Sequence, residues 1–380
     1  MNMKKGKTIR IPLLGDMVVS LYRTLIGIAL GLVASGILIA ISGVNPFTAY
    51  GALIKGAFGS KYAISNVLVR SSPLLLGGIG VAIGIKAGVW NTGIEGYMYL
   101  GAIGAAMFGV MDLGLSPIVH ILLCMLVAML FAGVWGAIPG FLKAYMNVNE
   151  VTCTIMMNYI AIYLTNWVVS SFAHVADTSA FYPMSKSFSE ATSLPILLRG
   201  SSLHPGPFIG IVLCLLFHFL LNYTSFGFRT KMLGSNPFAA QYSGVNAKRQ
   251  IMIVIIIGAV IGGLSGAIEV LGLKHRVYME FVTGVGYESV AVALLAGGNP
   301  LGVIISALFF AILKAGGATM SIETGVSSSM NSIIIALCML FVIGVGVADA
   351  HRMKKIVDTD KDDASEEPAA AIETETKEEQ

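Results

Sequence analysis

The sequence predicts an all-α protein built as a polytopic bundle of transmembrane helices. Three observations carry that reading. Apolar runs of about 20 residues, enough at ~1.5 Å rise per residue to cross a ~30 Å hydrocarbon core, recur along nearly the whole chain. Hydrophobic residues make up 56% of the 380 and charged residues only 12%, with a mean hydropathy of +0.80, whereas soluble domains carry about 25% charge. The lysines and arginines gather mainly in alternate polar breaks, as they do where a multi-pass protein fixes its orientation.

The first apolar run, 18–41, follows Lys4, Lys5, Lys7 and Arg10. It is too long for a secretory signal and no A-x-A site follows it, so it reads as a first span with its basic end in the cytoplasm. Further spans are expected at 66–86, 93–110, 117–138, 150–172, 206–222, 250–272, 286–298, 301–314 and 331–348. The two after Gly286 are short and separated by Gly297, Gly298, Asn299 and Pro300. They fit a broken or re-entrant element as well as two crossings, which gives roughly eight to ten spans.

Starting inside, this order places Lys86, Lys143, the Arg229/Lys231/Lys248/Arg249 group and the Arg352/Lys354/Lys355 group on the cytoplasmic side, with both termini cytoplasmic. The mixed-sign segment 173–203 falls outside. So does the Lys274/His275/Arg276 cluster, against the positive-inside trend. From Asp349 on, Asp, Glu, Lys, Thr and Ala replace the apolar residues, and that composition predicts a disordered acidic tail. The chain therefore divides into a basic N-terminus 1–17, a membrane domain 18–348 with a cytoplasmic loop at 223–250, and a tail 349–380.

Several function classes are not suggested. The net charge of +3 forms no nucleic-acid-binding pattern. Cys124, Cys153, Cys214 and Cys338 show no C-x-x-C spacing and read as small hydrophobes. Gly262-Gly263-x-x-Gly266 and Gly316-Gly317 lack the Lys and Ser/Thr of a phosphate-binding loop and read as helix-packing or turn elements. The histidines lack metal-ligand spacing, no nucleophile, base and orienter converge, and no cofactor is implied.

Two regions do carry chemistry. In the loop 223–250, Ser235 or Asn236 can cap a helix, Pro237 suits its first position, Ala239 and Ala240 favour it, and Gly244 suits a left-handed C-terminal site. A short helix at the membrane surface is expected there, either an ordinary capped loop or a docking element. The second region is Gly88 to Gly109. Glu95 sits in an apolar, glycine-rich run and must face the bundle interior, water or a partner. Asn91 and Glu95 either tie a helix break to its neighbours or line a polar path. Asn158 and Asn166 share one face of a later span with Tyr159, Tyr163 and Trp167 close by, a combination of amide donors and aromatic surface.

The stretch Thr224-Ser225-Phe226-Gly227 through Gly234-Ser235-Asn236-Pro237-Phe238-Ala239-Ala240, then Gly244-Val245-Asn246, resembles the cytoplasmic loop of ABC importer permeases of the ribose and branched-chain-amino-acid class. Asn91-Thr92-Gly93-Ile94-Glu95-Gly96 is similar to the class's Asn-x-Gly-x-Glu-Gly signature. Asn149-Glu150-Val151 with Thr154 to Ile160, and Ala293-Leu294-Leu295 with Gly298-Asn299-Pro300-Leu301-Gly302, follow in order. Together they cover 65–310, and the signature and Asn149 stretches look most like purine-nucleoside importer permeases.

The resemblance implies a permease subunit in the bacterial cell membrane, without enzymatic activity, that forms the path for a small polar solute, purine nucleosides first. It implies an ATPase-coupling helix at Pro237, Phe238, Ala239, Ala240 and Gly244, where Phe238 replaces the acidic residue of the wider family's Glu-Ala-Ala…Gly pattern. It also implies a substrate path through Asn91, Glu95, Asn158 and Tyr159. The implied partners are a cytoplasmic ABC ATPase, a second permease that is a copy or paralogue, an extracellular solute-binding protein or lipoprotein, and membrane lipid. Simple sugars or branched-chain amino acids are alternative substrates. An ion-driven secondary transporter using Glu95 and Glu288 is the alternative of a different class.

Overall fold

The structure is a computed structural model. It describes residues 15–345 except Thr283 and Ile343, with side chains from Ile26 onward. The basic segment ahead of Gly15 and the expected acidic tail lie outside the described residues. The described residues are α-helical, without named strands, and fall into two compact units: residues up to Gly43 with those from Ser332, and Val44–Asn331.

In chain order the helices are α1 (Gly15–Ile41), α2 (Pro46–Phe58), α3 (Lys61–Lys86), α4 (Ile94–Gly109), α5 (Pro117–Met146), α6 (Glu150–Ser171), α7 (Gly206–Tyr223), α8 (Ser225–Ser235), α9 (Pro237–Tyr242), α10 (Ala247–Glu269), α11 (Val285–Leu295), α12 (Pro300–Thr324) and α13 (Ser328–Val342). A single π turn, Val270–Lys274, continues α10. Among the described residues α3, α5, α7, α10 with its π turn, and α12 are each long and apolar enough to cross a membrane.

The ends of these helices are set by local chemistry. Three Asn-Pro dipeptides act alike: Asn45, Asn236 and Asn299 accept from backbone N–H groups of α2, α9 and α12, while Pro46, Pro237 and Pro300 occupy the first turn, where no N–H is needed. Ser60, Asn149 and Asn246 cap α3, α6 and α10 in the same way. The sequence reading misses α2 altogether, because Lys55 and two glycines break its apolar pattern. It also stops α12 at 314, whereas Lys314 finds a partner inside the bundle and the helix runs on to Thr324.

In the larger unit α10 packs against α5, α4 and α3, and glycines bring these helices almost into backbone contact. A Cβ on Gly101 would overlap the backbone of Gly263, one on Gly266 the backbone of Met98, and one on Gly136 the Ala259 methyl. The Gly262-Gly263-x-x-Gly266 run is therefore a packing seam, as its sequence indicates. Lipid tails are as apolar as leucine, so such close approach rather than hydrophobic transfer holds membrane helices together. In the smaller unit α1 packs against α13, with Gly27 on the backbone of Val342 and Gly31 on that of Cys338.

The larger unit has two recognisable ends. At one, Lys86 Nζ donates to Gly297 O (3.0 Å), Lys143 pairs with Glu150 (2.7 Å) and Lys248 lies over the Tyr145 ring. At the other, the segment 172–205 and the turn after α10 form a polar layer. Ser185 N donates to Val277 O (2.6 Å), Phe188 N to His275 O (3.0 Å) and Leu194 N to Leu271 O (2.9 Å).

Replacing Gly101 by Leu forces apart α4 and α10, and overpacking of a tight core costs about 1–3 kcal/mol. Gly51→Ala, on an open part of α2 with nothing within 4 Å of the new methyl, serves as control. Thermal unfolding in lipid nanodiscs is expected to show a lowered midpoint for Gly101→Leu alone.

Candidate functional site

Neither α4 nor α11 crosses the bundle. They are helices of 16 and 11 residues that meet N-terminus to N-terminus in its interior and run away from each other. α4 ends at Gly109 under the polar layer, while α11 ends beside Gly297 and Lys86. The sequence reading takes 93–110 as a crossing and 286–298 as either a crossing or part of a re-entrant element; the structure starts both helices inside the bundle, α11 after Gly284 in the left-handed region at φ +84°.

At that junction the first N–H groups of both helices meet buried side chains, and an unpaired buried backbone donor is costly. Glu95 answers one side. Its Oε1 accepts from Gly284 N (2.7 Å) and its Oε2 from Gly286 N (2.6 Å), and the residue is fully buried. A carboxylate here also meets the positive ends of two helix dipoles.

The asparagines answer the other side. Asn158 Oδ1 accepts from Gly96 N (2.9 Å), and its Nδ2 donates to Thr92 O (2.9 Å) and to Tyr287 Oη (3.4 Å). Asn91 Oδ1 accepts from Gly93 N (3.1 Å) and from the Tyr97 hydroxyl (3.2 Å), and its Nδ2 reaches Ile255 O (3.5 Å). Three residues singled out in the sequence thus come together, each buried and hydrogen-bonded within the protein. The fourth, Tyr159, does not join them: it sits 52% exposed on the uncovered side of α6. The sequence reading did not find Thr92, Tyr97, Tyr287 or Lys314. For Lys314 a signal existed, since a lone lysine in an apolar run has to be paired.

The far end of α4 is capped from the polar layer. His174 Nε2 lies 2.9 Å from Met107 O, His120 Nε2 3.0 Å from Phe108 O, and Ser189 N donates to Gly109 O (2.8 Å). Both imidazole nitrogens face carbonyls and so carry the proton. In the same layer His204 Nδ1 accepts from Gly206 N (3.1 Å), which requires a neutral ring, and burial pushes its pKa down to about 4. Lys274 lies 3.8 Å from Glu269, donates to the Tyr278 hydroxyl (2.7 Å) and rests on the Tyr278 ring. Arg276 reaches Met184 Sδ. The basic cluster that goes against the charge trend is thus largely bound within the protein.

At the opposite end α8 and α9 form the expected short-helix region. Asn236, not Ser235, is the cap of α9, accepting from Phe238 N (3.0 Å) and Ala239 N (3.1 Å). Gly244 follows at φ +79°, and Val245 N returns to Ala240 O (3.0 Å). Ala240 is buried beneath the helix, Pro237, Ala239 and Gly244 are exposed, and Phe238 and Tyr242 project outward at 74% and 94% exposure. Tyr242, one turn after Phe238, went unnoticed in the sequence. Among the described residues no group of three His, Cys, Asp or Glu is placed to hold a metal ion.

The family described as the permease component of branched-chain amino acid transport systems matches residues 63–343. The chain belongs to this permease family. A guanosine ABC transporter permease, NupP of Bacillus subtilis, is 35% identical over 321 residues, covering 84% of this chain and 91% of that protein. A glucose ABC transporter permease, TsgB13 of Haloferax volcanii, is 29% identical over 322 residues, 82% and 84% of the two chains. A nucleoside ABC transporter permease, NupB of Lactococcus lactis, is 28% identical over 326 residues, 84% and 89%. The protein is accordingly a multi-pass cell-membrane permease of an ABC importer rather than an enzyme, and it works with an ATPase and a binding protein.

Replacing Glu95 by Ala leaves two buried N–H groups without acceptors, at about 1–3 kcal/mol each. Glu95→Gln restores one acceptor but turns an NH₂ toward the other donor. Both variants are expected to unfold at lower temperature than the wild type in nanodiscs, Ala the more so; an unchanged Glu95→Ala would show the junction to be held by something else.

Proposed function

We propose that the chain forms, with a second permease subunit, the membrane path of a nucleoside importer driven by a separate ATPase. The observation that carries the substrate assignment is the 35% identity to a guanosine permease along nearly the whole of both chains, supported by the similarity to NupB. Glucose and branched-chain amino acids are the substrates this reading sets aside. Gradient-driven secondary transport does not fit a member of this family, and Glu95 and Glu288 are already engaged, by two backbone amides and by Lys314.

The end bearing Lys86, Lys143, Lys231, Lys248 and Arg249 is the cytoplasmic one under the positive-inside rule. Charge at the opposite end supports this orientation, because Lys55 and Lys274 there have the acidic partners Glu323 and Glu269. The polar layer then faces outward and receives the binding protein. α9 faces the cytoplasm and docks the ATPase through Pro237, Phe238, Ala239, Ala240 and Gly244. With Phe238 in place of an acidic residue, docking rests on apolar fit; Phe238 and Tyr242 stand one turn apart and present one aromatic patch.

The substrate path runs past the junction of α4 and α11. Asn91, Glu95 and Asn158 shape its wall from behind by fixing the two helix starts, and Tyr159 on the uncovered side of α6 offers an aromatic surface. The second permease and lipid share the remaining uncovered helix faces.

In cells lacking other uptake systems, accumulation of labelled guanosine is expected to be displaced by unlabelled nucleosides and not by glucose or leucine. Displacement by glucose alone would transfer the assignment to sugars. Phe238→Ala and Tyr242→Ala remove exposed rings without touching the core and are expected to lower ATPase co-purification and uptake by about tenfold, the scale of an interface anchor. Full retention of both activities in the double variant would place the docking surface elsewhere.

A further inference from the structure

Beside the junction lies a pair of opposite charges joining α11 to α12. Glu288, in the first turn of α11, accepts from Lys314 Nζ at 2.6 Å. Lys314 follows Pro300 by about 21 Å along α12 and precedes Thr324 by about 15 Å, at ~1.5 Å per residue. The ion pair therefore lies in the central part of a span.

It is not sealed in. The side chains of Lys314 and Glu288 are 20% and 22% exposed, and Tyr287 beside them is 40% exposed. Charges at this depth do not face hydrocarbon; they face water or protein. We take the open side of α11's first turn as water-facing, which the labelling described below tests.

Its chemistry is specific. Only Oε2 of Glu288 is used by Lys314, and a carboxylate accepts at about four sites while an ammonium has three donors. The pair as a whole is neutral, so it does not trap an ion. It offers an acceptor and a donor side by side, the complement of two neighbouring hydroxyl groups, each of which can donate or accept. Tyr287 adds an open ring face next to them, and its hydroxyl is tied to Asn158, which in turn holds Thr92 and Gly96 at the start of α4.

We propose that Tyr287, Glu288 and Lys314 form a binding station for a neutral diol-bearing solute on the translocation path. The Glu288–Lys314 pair holds adjacent sugar hydroxyls and Tyr287 stacks on an attached ring. This rests on the importer reading above and adds the residues that read the substrate inside the membrane.

The test uses the complete importer, with its ATPase and binding protein, in right-side-out and inside-out vesicles on a Cys153→Ser background. Single cysteines are introduced by Tyr287→Cys and, on an uncovered part of α5, by Leu126→Cys. A charged, impermeant methanethiosulfonate is expected to label Tyr287→Cys about tenfold faster than Leu126→Cys from at least one side, since only an aqueous surface admits it. Equal slow labelling from both sides overturns the proposal.

Uptake of guanosine is then compared with that of its analogue lacking both ring hydroxyls. Glu288→Gln and Lys314→Met are each expected to reduce the preference for guanosine about tenfold, the loss expected when a charge-assisted bond to substrate is removed. The exchanged pair Glu288→Lys with Lys314→Glu is expected to regain part of it. A preference unchanged in both single variants overturns the station, whatever their overall rate. Rapid labelling at Tyr287→Cys, together with uptake of sugars but no nucleosides by the unsubstituted importer, sustains the station and overturns the nucleoside assignment instead.

Discussion

Two helix N-termini meeting inside a membrane bundle set the terms for much of the larger unit. Each helix start leaves about four N–H groups without intrahelical partners, and hydrocarbon offers none. Glu95, Asn91 and Asn158 supply acceptors for four backbone N–H groups, those of Gly93, Gly96, Gly284 and Gly286, and the carboxylate balances two positive dipole ends at once. Because this carboxylate bonds to amides 189 and 191 residues later in the chain, the junction closes a long loop and fixes α4 against α11 directly. The surrounding glycines follow from it: a Cβ on Gly286 would overlap the backbone of Glu95, and one on Gly96 would press on Asn158.

A helix that starts at mid-depth leaves the remaining thickness of the bundle to other groups. At the far end of α4 the carbonyls of Met107, Phe108 and Gly109 are met by His174, His120 and Ser189, so the segment 172–205 is folded onto the bundle partly by the need to finish that helix. At the far end of α11 the turn at Gly297 and Gly298 is met by Lys86. The Lys274 and Arg276 side chains belong to the polar layer at the far end of α4, and both find partners within the protein.

The spans with uniform apolar character, α3, α5, α7 and α10, were legible in the sequence because lipid selects for length and composition alone. α9 was legible down to its proline and terminal glycine, since capping is local. What escaped depends on long-range partners. α2 carries the same Asn-Pro start as α9 and α12, yet its interior is too polar for a run-based reading, because its buried face lies on α12 instead of lipid. The extent of α12 was hidden by Lys314, whose charge looks like a boundary until Glu288 is seen beside it. Asn91, Glu95 and Asn158 were conspicuous as polar residues in apolar runs, but sequence left open whether they line a path or tie a break. Their hydrogen bonds establish the tie, and Tyr287 and Lys314 became visible only through it.

A chain of contacts also connects α9 to the junction. α8 sits with Gly234 against the Lys86 carbonyl and Gly88, so close that a Cβ there would overlap the backbone, and Gln250 of α10 donates to Thr230 of α8 at 2.8 Å. Lys86 in turn holds Gly297 at the end of α11, whose other end rests on Glu95. These contacts run without a break from α8 and α9 through the end of α3 and the 11-residue α11 to the point where the two half-helices meet.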